Sequence, residues 1–214
     1  MMEVLDAIQA RHSIRKFTDD PVDSGDLIAM LRAATLAPNP SNRQQWRFIA
    51  VQNKDVLRRM REAIQARAQE MISFAEDHGM MEEARELRGR LTNSSFFETA
   101  PATIAACERI DPPDARARVF QAQGLSDAEI DNRLPSRAIQ GIGAAIENLM
   151  LVAVSLGYGT CWMTSPMIAV HELEKILQVE PPFRLVALVP IGRPAQSSAG
   201  RPRKLLEEVV AIID

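Results

Sequence analysis

The 214-residue chain is 46% hydrophobic and 25% charged, the proportions of an ordinary globular protein long enough to bury one substantial core. Its net charge of −3 and sequence pI near 5.7 argue against a general nucleic-acid binder, which needs a surplus of Lys and Arg. The two cysteines, Cys107 and Cys161, lie far apart in apolar runs and read as buried reduced thiols, too few for a disulfide framework or a metal site.

The N-terminus enters an amphipathic pattern containing Glu3 and Asp6, unlike a secretory signal. The longest apolar run, residues 185–191, is far short of a membrane span. A cytoplasmic protein with no membrane association is the expectation. Val4, Leu5 and Ile8 space a short helix ending near Arg11. The run Asp23-Ser24-Gly25-Asp26 offers capping chemistry for a helix over about 24–36, with Leu27, Ile28, Leu31 and Ala34 as its stripe. Pro38 and Pro40 end it, because proline lacks the amide and excludes the preceding residue from helix. Residues 46–51 alternate and predict a strand. Residues 54–91 are charged and helical in pattern, with Gly79 and Gly89 as breaks, and 102–107 form a short buried strand. The polar stretch 111–135 carries Pro112, Pro113, Gly124 and Pro135 and reads as a loop with a short helix near 126–132. The variable excursion over about 65–135 is either a lid or a solvated detour, and composition favours the second.

Residues 137–156 give the strongest helix, with a wide apolar face of Ile142, Ala145, Ile146, Leu149, Met150 and Ala153. Gly157-Tyr158-Gly159 closes it, and Ser165 caps a further helix with Pro166 at its first position. A buried strand over 184–191 and an apolar, β-branched end over 206–213 complete the chain. Few strands scattered among many helices predict an α+β fold with a small sheet, in one domain over 1–214.

Arg11, Ser13 and Arg15 occupy alternate positions. In an extended segment they face one way, with His12 and Ile14 on the other side. Two guanidinium forks and a hydroxyl suit phosphate. Arg201, Arg203 and Lys204 form a second cationic cluster. Each cluster taken singly also fits a solvated basic turn. The loop 38–44 holds Asn39, Ser41, Asn42 and Gln44 between and beyond two prolines. Its amides can read a ring edge of alternating carbonyls and N–H groups. Thr164 and Ser165 open a helix whose free amides suit developing negative charge. The pairs Gly141/Gly143 and Gly157/Gly159 lack the third glycine of a dinucleotide fingerprint. No serine or cysteine has the neighbourhood of an activated nucleophile, and no catalytic side chain is assigned.

In this order the pieces resemble the nitroreductase family of FMN-dependent oxidoreductases. The residues RHSIRKF at 11–17 resemble the family's opening motif, and PNPSNRQQW at 38–46 its Pro-Ser-x-x-Asn-x-Gln-Pro-Trp pattern through Pro38, Asn42, Gln44 and Trp46. The apolar helix before GYGTCW, the strand running into Gly192 and the terminal RPRKLLEEVV are also family-like. The resemblance implies a small, mainly antiparallel sheet packed by helices, and a homodimer with an exchanged C-terminal strand and FMN at its interface. It implies that Arg11, Ser13, Arg15, Arg201 and Arg203 bind the flavin phosphate and ribityl chain, with His12 nearby. Pro38, Asn39, Pro40, Asn42 and Gln44 would meet the flavin from the partner subunit, and the amides at Thr164 and Ser165 would face its hydride-accepting nitrogen. It implies ping-pong hydride transfer from NAD(P)H to a nitroaromatic, quinone or similar small acceptor. Phe96, Phe97 and Phe120 are candidates for the acceptor pocket, with ordinary core as the other reading. Two departures stand out: Asn39 where the family has serine, and Gln45 where it has proline. Specialised flavin chemistry on the same fold (dehalogenation, enone reduction, flavin breakdown) and a non-catalytic flavin binder are the alternatives.

Overall fold

The computed structural model describes residues 2–91, 95–134 and 136–213. Helices α1 (Val4–Ala10), α2 (Ser24–Thr35), α3 (Lys54–Asp77), α4 (Met81–Leu91), α5 (Ala115–Ala122), α6 (Asp127–Arg133), α7 (Arg137–Ser155) and α8 (Val170–Leu177) surround four strands. These are β1 (Trp46–Val51), β2 (Ala102–Arg109), β3 (Gly159–Thr160) and β4 (Phe183–Gly192). The sheet runs β1-β2-β4-β3 with every pairing antiparallel.

Strand β2 sits at the centre and is buried on both faces from Ala102 to Glu108. Alternation sends Ala102, Ile104 and Ala106 toward α2 and α7, and Ala105 and Cys107 toward the layer of α3 and α8. A register slip between Ala106 and Cys107 lets β4 serve both layers: Ala187, Val189 and Ile191 join the first, Leu185 and Leu188 the second. The small side chains of β2 let α7 approach closely. Helix α7 is long and apolar enough to cross a bilayer by length and composition. Here its stripe of Ile142, Ala145, Ile146, Leu149, Met150 and Ala153 is buried within the core that α2 and the sheet share.

The elements depart from the sequence expectation at three places. Gly89 lies inside α4 rather than breaking it, while Gly79, at φ 73°, does end the preceding helix. The stretch expected as loop contains α5, whose first turn is capped by Asp114; Pro135 lies outside the described residues. Ser165 opens a 3₁₀ turn, Ser165–Ala169, without a side-chain cap, and the α-helix begins only at Val170. The described residues of the tail carry a 3₁₀ turn, Leu206–Glu208, and no strand, and they are exposed throughout; the expected strand belongs to a pairing between two chains.

Candidate functional site

The loop after α1 is fixed by backbone pairing on both sides. Ile14 N donates to Thr160 O at 2.8 Å, Thr18 N to Arg193 O at 2.9 Å, and Ala195 N to Lys16 O at 3.0 Å. The segment is thus wedged between β3 and the chain leaving β4. Ile14 packs inward over Gly159, where a Cβ would lie 2.5–2.8 Å from three Ile14 side-chain atoms. Only glycine permits that approach. With Ile14 buried, Ser13 and Arg15 on either side of it point to solvent, as the alternation predicts. Arg11 instead turns toward α7. Its side chain is 17% exposed and its Nε lies 3.0 Å from Glu147 Oε1. That Nε is buried with no aligned hydrogen-bond partner.

The C-terminal segment returns to this loop. His12 Nε2 and Ser198 Oγ are 2.8 Å apart, and a Cβ on Gly200 would sit 3.4 Å from His12 Cβ. This docking brings Arg201 and Arg203, both exposed, just beyond the segment seated on the loop. Arg15, Arg201 and Arg203 meet no carboxylate partner among the described residues. Cys161 lies under the pair Ser13 and Arg15. Burial pushes its thiol up, while the Arg15 charge and a hydrogen bond from Ser13 pull it back. Cys107, buried in the core, is pushed up to about 12. Both thiols are free.

The loop 38–45 holds an unusual backbone. Ser41, Asn42 and Gln44 all take positive φ, at 54°, 51° and 48°. Each such non-glycine residue costs on the order of 1 kcal/mol, so the shape needs restraint from outside its own dihedrals. Asn39 supplies part of it. Its Oδ1 accepts from Gln44 N at 2.7 Å and its Nδ2 donates to Ala37 O at 3.3 Å. Gln44 O accepts from Trp46 N at 2.8 Å. The loop rests on the start of α7, where Gly141 faces Asn39, Pro38 and Trp46. Pro38, Asn42 and Gln44 remain exposed, and Asn39 and Pro40 are half-buried.

At the far end of α7, Tyr158 OH donates to Asp26 Oδ2 at 2.9 Å and accepts from Asp23 N at 3.2 Å, tying α2 to the turn. Met163 exchanges backbone hydrogen bonds with Leu188 at 2.9 and 3.0 Å. This fixes the exposed Thr164 and Ser165 that follow, and leaves Trp162 exposed against Gly143 on α7. Within one chain, α7 therefore supports Arg11 through Glu147, Trp162 at Gly143, and the loop 38–45 at Gly141. Loop 38–45 and loop 11–15 occupy separate stations along this helix.

The aromatic candidates separate. Phe97 is fully buried among Val51, Leu57 and Ala105, which makes it a core residue and not a pocket wall. Phe96 is half-buried beside Ile14, Phe17 and Ala100. Phe120 is half-buried on α5. A cavity of about 600 Å³ opens beneath the excursion, lined by Arg43, Gln45, Asp111, Asp114, Arg137 and Arg184 among others. Sequence reasoning passed over Glu147, Asp111 and Ser198. Glu147 carried a signal, as a lone carboxylate on the most apolar helix. Asp111 and Ser198 carried none, because their partners are remote in sequence.

Three comparisons bear on the site. The sequence profile of the Nitroreductase family matches residues 8–193. A protein of Archaeoglobus fulgidus, provisionally named NADH dehydrogenase/NAD(P)H nitroreductase, is 26% identical over 76% of this chain and 68% of its own. An iodotyrosine deiodinase of Thermotoga neapolitana is 23% identical over 95% of each chain. Among solved structures, a BluB-like flavoprotein from Clostridium difficile 630 superposes with a TM-score of 0.89 at 29% identity, covering 100% of both chains.

Proposed function

The chain belongs to the nitroreductase family, and from that membership we propose an FMN-dependent oxidoreductase that works as a homodimer. The observation that supports the reading is the rigidly held loop 11–15, with unmatched Arg15 beside Ser13 and the C-terminal segment docked on it through Ser198. Ser13 and Arg15 project from a segment held by backbone pairing, and the segment docked through Ser198 leads within five residues to the exposed Arg201 and Arg203. Unmatched guanidinium forks beside a hydroxyl fit a phosphate monoester. Arg11, by contrast, is turned toward α7, its Nε 3.0 Å from Glu147 Oε1.

FMN, when bound, would supply hydride chemistry between NAD(P)H and a nitroaromatic, quinone or similar acceptor, the two binding in turn. The protein's own part is to hold and orient. Ser13, Arg15, Arg201 and Arg203 anchor the phosphate, with Arg11 and His12 alongside. Thr164 and Ser165 would face the ring. Pro38, Asn39, Pro40, Asn42 and Gln44 of a second copy complete the ring's surroundings, which suits the separation of loop 38–45 from loop 11–15 along α7. Phe120 and Phe96 are the remaining aromatic candidates beside the acceptor. The dimer is supported by apolar surface without cover in one chain: Val4, Leu5 and Ile8 on α1, and Leu205, Leu206, Val209, Val210, Ile212 and Ile213 on the tail. Laying the tail on a partner's sheet edge as an added strand would cover the tail's apolar residues.

The test is the visible spectrum of the purified protein, taken anaerobically before and after NADH or NADPH. Flavin bands that bleach and return on adding a nitroaromatic support the reading. Absence of bands after incubation with FMN overturns it. Dehalogenation at the same site is the second reading, favoured by the similarity to the deiodinase of Thermotoga neapolitana. Halide release from iodotyrosine by the reduced protein, with no turnover of nitroaromatics, would select it.

A further inference from the structure

The loop 38–45 is restrained from two sides. From within, Asn39 holds it across Gln44. From outside, it is held by the chain that leaves β2. Arg109 N donates to Gln45 O at 3.0 Å. Two residues on, Asp111 Oδ2 accepts from Gln45 Nε2 at 2.9 Å and Arg43 Nη1 at 3.3 Å. Its Oδ1 lies 3.4 Å from Arg109 Nε. Asp111 also opens the polar stretch 111–135 of the excursion, three residues before Asp114 caps α5. We propose that Asp111 is a positioning residue, a clamp through which the docked excursion keeps loop 38–45 in its left-handed shape.

The loop cannot keep this shape alone. Three left-handed residues in four revert to extended backbone unless neighbours forbid it. Arg43 and Gln45 flank Gln44, the last of those three, and Asp111 grips both side chains with one oxygen. Gln45 has a second part in the clamp. A proline there would supply no side-chain amide and would drive the residue before it out of the helical region toward extended backbone. Gln44, at φ 48°, could not then keep its conformation. The clamp is a hub of one carboxylate and three donors that crosses from the excursion to the loop. An exposed single ion pair contributes little and is screened by salt. Here the Asp111 side chain is 23% exposed, and its partners include a neutral amide that salt does not screen.

The inference rests on the reading of loop 38–45 as a flavin-contacting surface for its consequence, but not for its geometry. The two are separated by a probe that needs no flavin. Trp46 follows the loop directly, and the chain has two tryptophans, Trp46 and Trp162. In a Trp162→Phe background, acrylamide quenching of Trp46 reports how well the loop is held in the full-length chain. FMN titration of the same samples reports binding. Asp111→Ala should raise Trp46 quenching about twofold and weaken FMN binding about tenfold, as loss of a charge-assisted anchor would. Asp111→Asn, which retains an acceptor for Gln45 Nε2, should fall between. Gln45→Pro should match Asp111→Ala, and serves if that variant does not fold. Asp114→Asn, which alters the excursion without touching the loop, should leave Trp46 unchanged. The clamp is overturned if Asp111→Ala and Gln45→Pro leave Trp46 quenching at the parent value, or if Asp114→Asn raises it equally. A parent chain that takes up no FMN sinks the flavin reading alone, and Trp46 quenching still decides the clamp.

Discussion

Arginine does opposite things in two regions of this molecule. Around loop 11–15 and the returning tail, Arg15, Arg201 and Arg203 face no carboxylate among the described residues. In the cavity beneath the excursion, Arg43 and Arg109 meet Asp111, Arg116 and Arg137 meet Asp114, and Arg184 meets Glu108. A guanidinium matched inside its own chain works as architecture. One left unmatched on a fixed backbone is available to a ligand. The difference lies in what holds each region in shape. Loop 11–15 is fixed by packing and main-chain hydrogen bonds, which leaves Arg15 uncommitted even though Arg11 pairs with Glu147. The excursion has few buried side chains, Ile130 being the only fully buried one described between 111 and 134, and relies on the ion pairs themselves.

The contrast breaks most severely at Gly159. Alanine there drives a Cβ into Ile14, whose nearest atom would be 2.5 Å away, and both neighbours are buried. Overpacking of this kind costs about 1–3 kcal/mol, or several degrees of thermal midpoint in a chain this long. The wedge that aims Ser13 and Arg15 should shift with it, so Gly159→Ala should lose stability and cation alignment together. Adding Ile14→Ala should restore part of the stability by making room. Calorimetry of the two variants checks this. A Gly159→Ala protein as stable as the parent would show that the wedge is not rigid.

The next effect separates ligand binding from architecture directly. Arg15→Ala and Arg203→Ala should each weaken FMN binding by about 10- to 100-fold, the range expected for hydrogen bonds to a charged group. Neither should move the unfolding midpoint, since neither arginine is engaged within the chain. Lysine at either position should recover only part of the affinity, because it keeps the charge but not the fork. Arg137→Ala should behave in the reverse way, leaving FMN binding intact while loosening the excursion from α7. If Arg15→Ala and Arg203→Ala bind FMN as the parent does, the unmatched cations are a solvated surface.

How much of this was readable from the sequence follows the same division. The α7 stripe, the proline-bounded loop 38–44 and the outward Ser13 and Arg15 on either side of Ile14 are local patterns, and the structure keeps them, while Arg11 leaves the expected alternation to pair with Glu147. Helix α5 was not readable. Its residues show no clean stripe, and its first turn depends on the Asp114 cap and pairs to Arg116 and Arg137. Phe97 and Phe120 look alike as letters, and only the register of the surrounding elements buries one and leaves the other half-exposed. The tail over 206–213 has the composition of a strand, but a strand needs a neighbouring edge, and its own chain gives it none. His12 and Ser198 meet across 186 positions, beyond any local pattern.

The smallest effect concerns pH and falls on the excursion alone. Hydrogen bonds from Arg116 and from the backbone of Ala117 hold the Asp114 carboxyl well below the usual carboxylate range. Glu129, bonded to the Ser126 backbone and hydroxyl at the start of α6, is lowered too. A depressed folded-state value means the ionised form stabilises the fold. That contribution is complete above the unfolded value, about 3.9 for Asp and 4.3 for Glu, and declines as pH falls below it. Between pH 5 and 9 the excursion should therefore show no pH dependence from these two groups, while below about pH 4 both helices should loosen. Asparagine is itself a good N-cap, so Asp114→Asn should keep α5 while removing its acid response. Amide exchange in α5 should then be slightly faster than in the parent at neutral pH and insensitive to acid. In the same sample α6 should still loosen as Glu129 protonates, which supplies an internal control. Loosening of α5 in the parent above pH 5, or an unchanged acid response in Asp114→Asn, would mean that packing and not the Asp114 charge holds the excursion down. The two arginine-rich regions would then differ less than their ion pairs suggest.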